Sequence, residues 1–121
     1  MRLAITRAVS PAFAECELSF VAREPIDLAL AHVQHAAYNQ ALRSAGCEVM
    51  QLPAEPAFPD SVFVEDTAIV LDDVAVITRP GAASRRGEVD SIARALRAHR
   101  PLLALEAPAM LDGGDVMRVG R

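Results

Sequence analysis

Cysteine is scarce in this chain, with two in 121 residues, Cys16 and Cys47. Two scattered thiols exclude a disulfide framework and a cysteine-based zinc site. Long apolar runs are absent as well. No segment approaches the roughly 20 consecutive apolar residues needed to span a bilayer, and "MRLAITRAVS" has no apolar stretch of signal-peptide length. Basic excess is missing too. The formal charge is −4 and the isoelectric point about 5.3, so no basic face for nucleic acid is expected. The sequence reads as a soluble protein of a reducing compartment, with no membrane or nucleic-acid partner. With 52% apolar residues it has the material for one core.

The elements follow from periodicity and punctuation. "RLAITR" (2–7) predicts a short strand, followed by a Pro-punctuated loop. Residues 26–46 predict a helix whose stripe is Ile26, Leu30, Val33, Ala37 and Ala41, with Gly46 at the left-handed C-terminal cap. "CEVMQLP" (47–53) predicts a strand. "SVFVEDTAIVL" and "VAVITR", joined by the tight Asp72–Asp73 pair, predict a hairpin. A second helix is expected from Ser84 as N-cap, with "IARALRAH" as its apolar stripe. "PLLALE" predicts a strand, and "MLDGGDVMRVGR" the start of another.

This order of elements repeats. "AITR" and "VITR" each end a strand at Thr-Arg, and each is followed by loop, helix, strand, Pro-containing loop and an acidic turn. The turns are "FPDSVFVED" and "MLDGGD". About two copies of a strand–helix–strand–hairpin unit are therefore expected. Repeat units bury their faces against neighbours, usually about three or more of them. A chain that stops inside a strand pattern then reads as truncated, with open sheet edges on which copies could pair.

Chemistry concentrates in acids. Asp60, Glu65 and Asp66 fall within seven positions of a strand-prone segment, and Asp112 occupies the matching turn of the second copy. Converging carboxylates repel one another, and a bound cation relieves that repulsion. A planar guanidinium suits them better than an ammonium because its donors pair two at a time. No clustered oxygen-ligand loop for a divalent ion is present. The alternative is structural: Asp60 capping a turn after Pro59, and Glu65 or Asp66 pairing with Arg7 or Arg79. Arg85 and Arg86 fall in the first turn of the expected second helix, opposing its macrodipole. They either clamp an anion or lie solvated on the surface. Gly113-Gly114 suits a sharp turn or a close backbone approach to a ligand. His32, His35 and His99 lack companions for a metal site, and no nucleophile–base pair stands out.

"RAVSPAF" (7–13), "FPDSVFVEDTAIV" (58–70), "RPGAASRRGE" (79–88) and "LDGGDV" (111–116) together resemble the dimethylarginine dimethylaminohydrolase family. The resemblance implies an α/β pentein fold, a propeller of five αβ units. Residues 1–121 would supply about two ββαβ-type units, the N-terminal portion of a single catalytic domain. It implies a cytoplasmic hydrolase of arginine metabolism and nitric oxide regulation. Such an enzyme converts Nω-methylated arginine to citrulline and an amine through a cysteine thiolate and a histidine, with no cofactor or metal. By resemblance, Glu65 and Asp66 grip the substrate guanidinium, and Asp112 orients the histidine. Asp60 and the Leu18 carbonyl hold the α-amino group, Arg85 binds the α-carboxylate, and Phe63 lines the pocket. The loop around Leu18 would be a mobile lid. Neither Cys16 nor Cys47 matches the nucleophile's context, so this chain alone is expected to bind but not to turn over. Competing expectations are an arginine deiminase or amidinotransferase of the same fold, and a non-catalytic α/β module that self-associates through its open edges.

Overall fold

The computed structural model describes residues 1–16, 22 and 24–120, so the expected lid at Leu18 lies outside the described residues. It forms two compact α/β units, Met1–Val62 and Phe63–Arg121.

In the first unit, strand β1 (Arg2–Arg7) runs parallel to β2 (Cys47–Leu52), in register from Arg2 opposite Cys47 to Arg7 opposite Leu52. Parallel strands need a crossover, and helix α1 (Leu28–Ser44) provides it. Asp27 caps α1, its Oδ1 accepting the Leu30 amide at 3.0 Å. At the other end the Gly46 amide donates to the Arg43 carbonyl at 2.9 Å, with Gly46 at φ 86°, the left-handed cap expected from the sequence.

The buried face of α1 differs from the expected stripe. Asn39 is buried and Leu28, Ala31, His35 and Leu42 are partly buried, while Leu30, Val33, Ala37, Tyr38 and Ala41 are exposed. Both faces carry apolar side chains, so periodicity alone does not choose between them. On the buried side Asn39 Nδ2 donates to Gln51 Oε1 on β2.

In the second unit the sheet order is β3–β4–β5. Strands β3 (Ala68–Val70) and β4 (Ala75–Ile77) form the expected hairpin, closed by the Leu71 amide on the Val74 carbonyl at 2.8 Å. β5 (Leu102–Ala104) lies parallel to β4, and helix α2 (Val89–Leu96) is the crossover. Ile92 and Leu96 of α2 and Ala75 and Ile77 of β4 supply its core. Strand–helix–parallel strand thus occurs in both units, as the sequence repeat anticipates.

Three expectations are corrected. Residues 61–67 are not strand: Val64–Asp66 form a 3-10 turn, with the Asp66 amide on the Phe63 carbonyl at 3.2 Å and the Thr67 amide on the Val64 carbonyl at 3.1 Å. The Thr67 hydroxyl also donates to the Val64 carbonyl at 2.6 Å, drawing the backbone out of the extended state. Ser84 does not cap a helix, because a 3-10 segment (Ala83–Glu88) precedes α2. Finally, the chain after Leu111 does not continue as a strand. Leu111 makes one isolated bridge to Arg79, and Gly113–Asp115 fold into another 3-10 turn. The unpaired terminal strand inferred from sequence therefore does not form among the described residues.

Gly46 has open space around its α-carbon but a positive φ, so Gly46→Ala is expected to cost about 1–2 kcal/mol of backbone strain without a clash. Denaturant unfolding measures it. His35 is held below its ordinary pKa of 6.5 by partial burial and by repulsion from His32. The unfolded chain therefore takes up a proton first, and this contribution to stability is whole above pH 6.5 and lost as pH falls from there toward the lower folded-state pKa. Unfolding midpoints compared at neutral and mildly acidic pH should show that decline, and His35→Gln should flatten it.

Candidate functional site

Glu65 and Asp66 are carried by one short turn, and Asp112 leads into a second whose backbone touches the first. The first turn, Val64–Asp66, leaves Glu65 exposed and Asp66 partly buried. The second, Gly113–Asp115, follows Asp112. A β-carbon at Gly113 would collide with the Glu65 carbonyl oxygen, and one at Gly114 would lie 2.5 Å from Asp66 Oδ1. The paired glycines thus serve a close backbone approach, here to the acidic turn itself. The Gly114 amide donates to Asp66 Oδ1 at 3.0 Å and locks the two turns together. Asp112 Oδ2 accepts the Gly81 amide at 3.3 Å, which ties the second turn to the loop after β4.

Behind these turns lies Arg85. Its residue is buried, and its guanidinium is held by two carboxylates: Nη1 donates to Asp66 Oδ2 at 2.7 Å, Nε to Glu88 Oε2 at 3.0 Å and Nη2 to Glu88 Oε1 at 2.9 Å. Nη2 also donates to the Phe63 carbonyl at 3.3 Å. Burial works against the charge, but the bonds to Glu88 and Asp66 more than offset it and hold Arg85 above its ordinary pKa. Arg85 is therefore neither a solvated surface residue nor a first-turn helix residue. The 3-10 geometry of Ala83–Glu88 sets Arg85 and Glu88 on one side, three residues apart.

The partner of Asp66 is thus Arg85, not Arg7 or Arg79. Arg7 is buried in the first unit, with Nη1 3.1 Å from Glu55 and donating to the Pro53 carbonyl at 2.9 Å. Arg79 Nη1 donates to the Ala109 carbonyl at 3.2 Å. Arg86 is half-buried and donates from Nε to the Pro80 carbonyl at 2.9 Å, pinning the loop before the 3-10 segment. Phe63 is exposed at the start of the acidic turn. Asp60 is buried in the first unit, within the turn closed by the Ser61 amide on the Phe58 carbonyl at 3.2 Å. Cys16 is buried and Cys47 half-buried, and neither forms a disulfide.

Glu88 is the residue that sequence reasoning passed over. The signal for it was the spacing in "RRGE": an acid three residues after an arginine faces it on a helical turn. Among the described residues no group of three or more His, Cys, Asp or Glu side chains could hold a metal ion. None of the described helices is long and apolar enough to cross a membrane.

Comparison with known proteins agrees with the family suggested by the motifs. The chain is 42% identical to N(G),N(G)-dimethylarginine dimethylaminohydrolase of Streptomyces coelicolor over 118 residues, covering 97% of this chain and 46% of that protein. The Pseudomonas aeruginosa protein of the same name is 44% identical over 96 residues, covering 78% of this chain and 38% of that protein. A solved structure of the P. aeruginosa protein, as a cysteine-to-serine mutant complexed with citrulline, superposes with a TM-score of 0.91 at 38% identity, covering 96% of this chain and 46% of that one. The chain is a dimethylarginine dimethylaminohydrolase-like member of the pentein superfamily. It spans about half the length of the curated relatives it matches. No protein-family model matches it. The N-terminal domain of ArgZ, a cyanobacterial arginine dihydrolase, shares the fold at 16% identity and a TM-score of 0.76.

The geometry yields a direct test. Gly113→Ala places a methyl group against backbone and should destabilise the chain by about 1–3 kcal/mol, the usual cost of overpacking. Gly114→Ala meets the Asp66 carboxylate, which cannot turn aside without leaving buried Arg85, and should destabilise by a comparable amount. Thermal unfolding of the two variants measures both losses.

Proposed function

We propose that this chain carries substrate-binding residues of an amidine hydrolase that converts Nω-methylated L-arginine to L-citrulline and an amine. The observation that carries the reading is the arrangement of charge in the second unit. One buried cation, Arg85, is already matched by Asp66 and Glu88, while Glu65 on the adjoining turn is an exposed carboxylate and Asp112 stands at the head of the next. The surplus of negative charge suits a substrate cation, and a guanidinium fits carboxylates two donors at a time.

On this reading Glu65 receives the dimethylguanidinium, beside an Asp66 that stays on Arg85 and the Gly114 amide, and Phe63 covers its apolar side. Asp112 orients the proton-shuttling histidine. In the whole protein a cysteine thiolate attacks the guanidinium carbon and the amine leaves with a proton from the histidine. Water then releases citrulline and restores the thiol. Neither of the two cysteines here is assigned that part. Carboxylates alone do not attack a resonance-stabilised guanidinium at a useful rate, so the 121-residue chain is expected to bind without turnover.

Calorimetric titration tests the binding half. Nω,Nω-dimethyl-L-arginine should bind more tightly than L-citrulline, whose ureido group is uncharged. Glu65→Gln should weaken dimethylarginine binding by roughly tenfold or more, the order expected for one lost charge-assisted contact, and leave citrulline little changed. Equal affinity for both ligands, or an unaffected Glu65→Gln, contradicts the reading. Citrulline produced by the 121-residue chain above a buffer blank contradicts the assignment of chemistry elsewhere. L-arginine titrated alongside separates a preference for methylated substrate from deiminase-type recognition.

A further inference from the structure

The Arg85 guanidinium has two edges, and they are used differently. Glu88 takes the Nε–Nη2 edge side-on with both of its oxygens, and at 2% exposure it is among the most buried charged residues of the second unit. Nη1 is directed at Asp66 Oδ2. Asp66 then uses its other oxygen, Oδ1, to accept the Gly114 amide. A continuous line of charge-assisted bonds therefore runs Glu88–Arg85–Asp66–Gly114, from the foot of α2 to the glycine turn. Glu88 immediately precedes α2, which is anchored by buried Ile92 and Leu96. A side-on pair fixes a guanidinium in its plane as well as neutralising it. With the far edge gripped by an anchored carboxylate, Arg85 has one orientation in which it meets Asp66, and Asp66 one orientation in which it meets Gly114.

We propose that Glu88 is a positioning residue for the acidic site: through Arg85 it orients Asp66, and through Asp66 it fixes the glycine turn that follows Asp112. The coupling is a property of the second unit. Its consequence for ligand rests on the methylarginine reading above. Glu88 touches no substrate on this account. Supplying a negative charge is not enough for the role, because the position of that charge is what is passed on.

Two variants of the 121-residue chain, labelled with nitrogen-15, decide the matter. Glu88→Gln removes the charge and one acceptor while keeping the shape. It should shift the Gly114 amide resonance and speed its hydrogen exchange by about tenfold, the equivalent of one charge-assisted bond lost. The Gly46 amide, at the cap of α1, should stay as in the wild type. Glu88→Asp keeps the charge but draws it back by one methylene. It should move the same resonance in the same direction by a smaller amount, and it carries the test alone if Glu88→Gln does not fold. A Gly114 amide unchanged in either folded variant overturns the proposal. So does a change spread equally over Gly46, which marks general loosening. Titration of Nω,Nω-dimethyl-L-arginine into the same samples adds the functional arm, where roughly tenfold weaker binding to Glu88→Gln is expected. If the wild type does not bind the ligand, the methylarginine reading fails, while the Gly114 response still rules on the coupling.

Discussion

A guanidinium buried between two carboxylates organises the second unit. Removing a charge from water costs several kcal/mol, so Arg85 is tolerable only while Asp66 and Glu88 remain in place. That requirement reaches outward. It holds the Val64–Asp66 turn at one end and the start of α2 at the other. Because Asp66 spends its second oxygen on Gly114, the glycine turn is held too. The neutralised cation also leaves its neighbours unneutralised. Glu65 and Asp112 sit on turns fixed by this network without being consumed by it. Burial separates the acids: those that hold Arg85 are buried or partly buried, and Glu65 is exposed.

The two units solve one local problem in parallel ways. In the first unit Thr6-Arg7 end β1 and in the second Thr78-Arg79 follow β4, and each arginine reaches to a carbonyl in the loop after the partner strand, Pro53 for Arg7 and Ala109 for Arg79. Loop carbonyls beyond the end of a parallel strand have no ladder partner, and an arginine donor satisfies them. The threonines before them are buried in both units, yet differ in use. The Thr78 hydroxyl donates to the Asp66 carbonyl at 2.6 Å, adding a further brace to the acidic turn, whereas the Thr6 hydroxyl has no partner among the described residues.

How far the sequence could be read depended on the range of the forces involved. β1, β2, the hairpin and the Gly46 cap follow from local propensity and backbone permissiveness, and all were legible. The face of α1 was not, since Leu30 and Val33 compete with Leu28, Ala31 and Leu42 for the buried side, which also carries the polar Asn39. The acids of "FPDSVFVED" sit in a segment that reads as strand-prone, but Glu65 and Asp66 lie on a 3-10 turn and Asp60 in a separate turn before it, where alternation has no meaning. The Arg85–Asp66 pair spans nineteen positions, beyond any periodicity, whereas the Arg85–Glu88 pair, three positions apart, was within reach of the sequence and was passed over. Two glycines in "LDGGD" were legible as a close approach, though what they approach is Glu65 and Asp66.

The central claim is that Glu65 faces a guanidinium while Arg85 stays committed to Asp66 and Glu88. A crystal structure of the chain with Nω,Nω-dimethyl-L-arginine tests it most directly. The account predicts the dimethylguanidinium against the Glu65 carboxylate, with both oxygens of Glu88 still on Arg85 and Asp66 still bridging to Gly114. A ligand cation bound away from Glu65 and Asp66, or an Asp66 swung off Arg85 when the ligand enters, would contradict it.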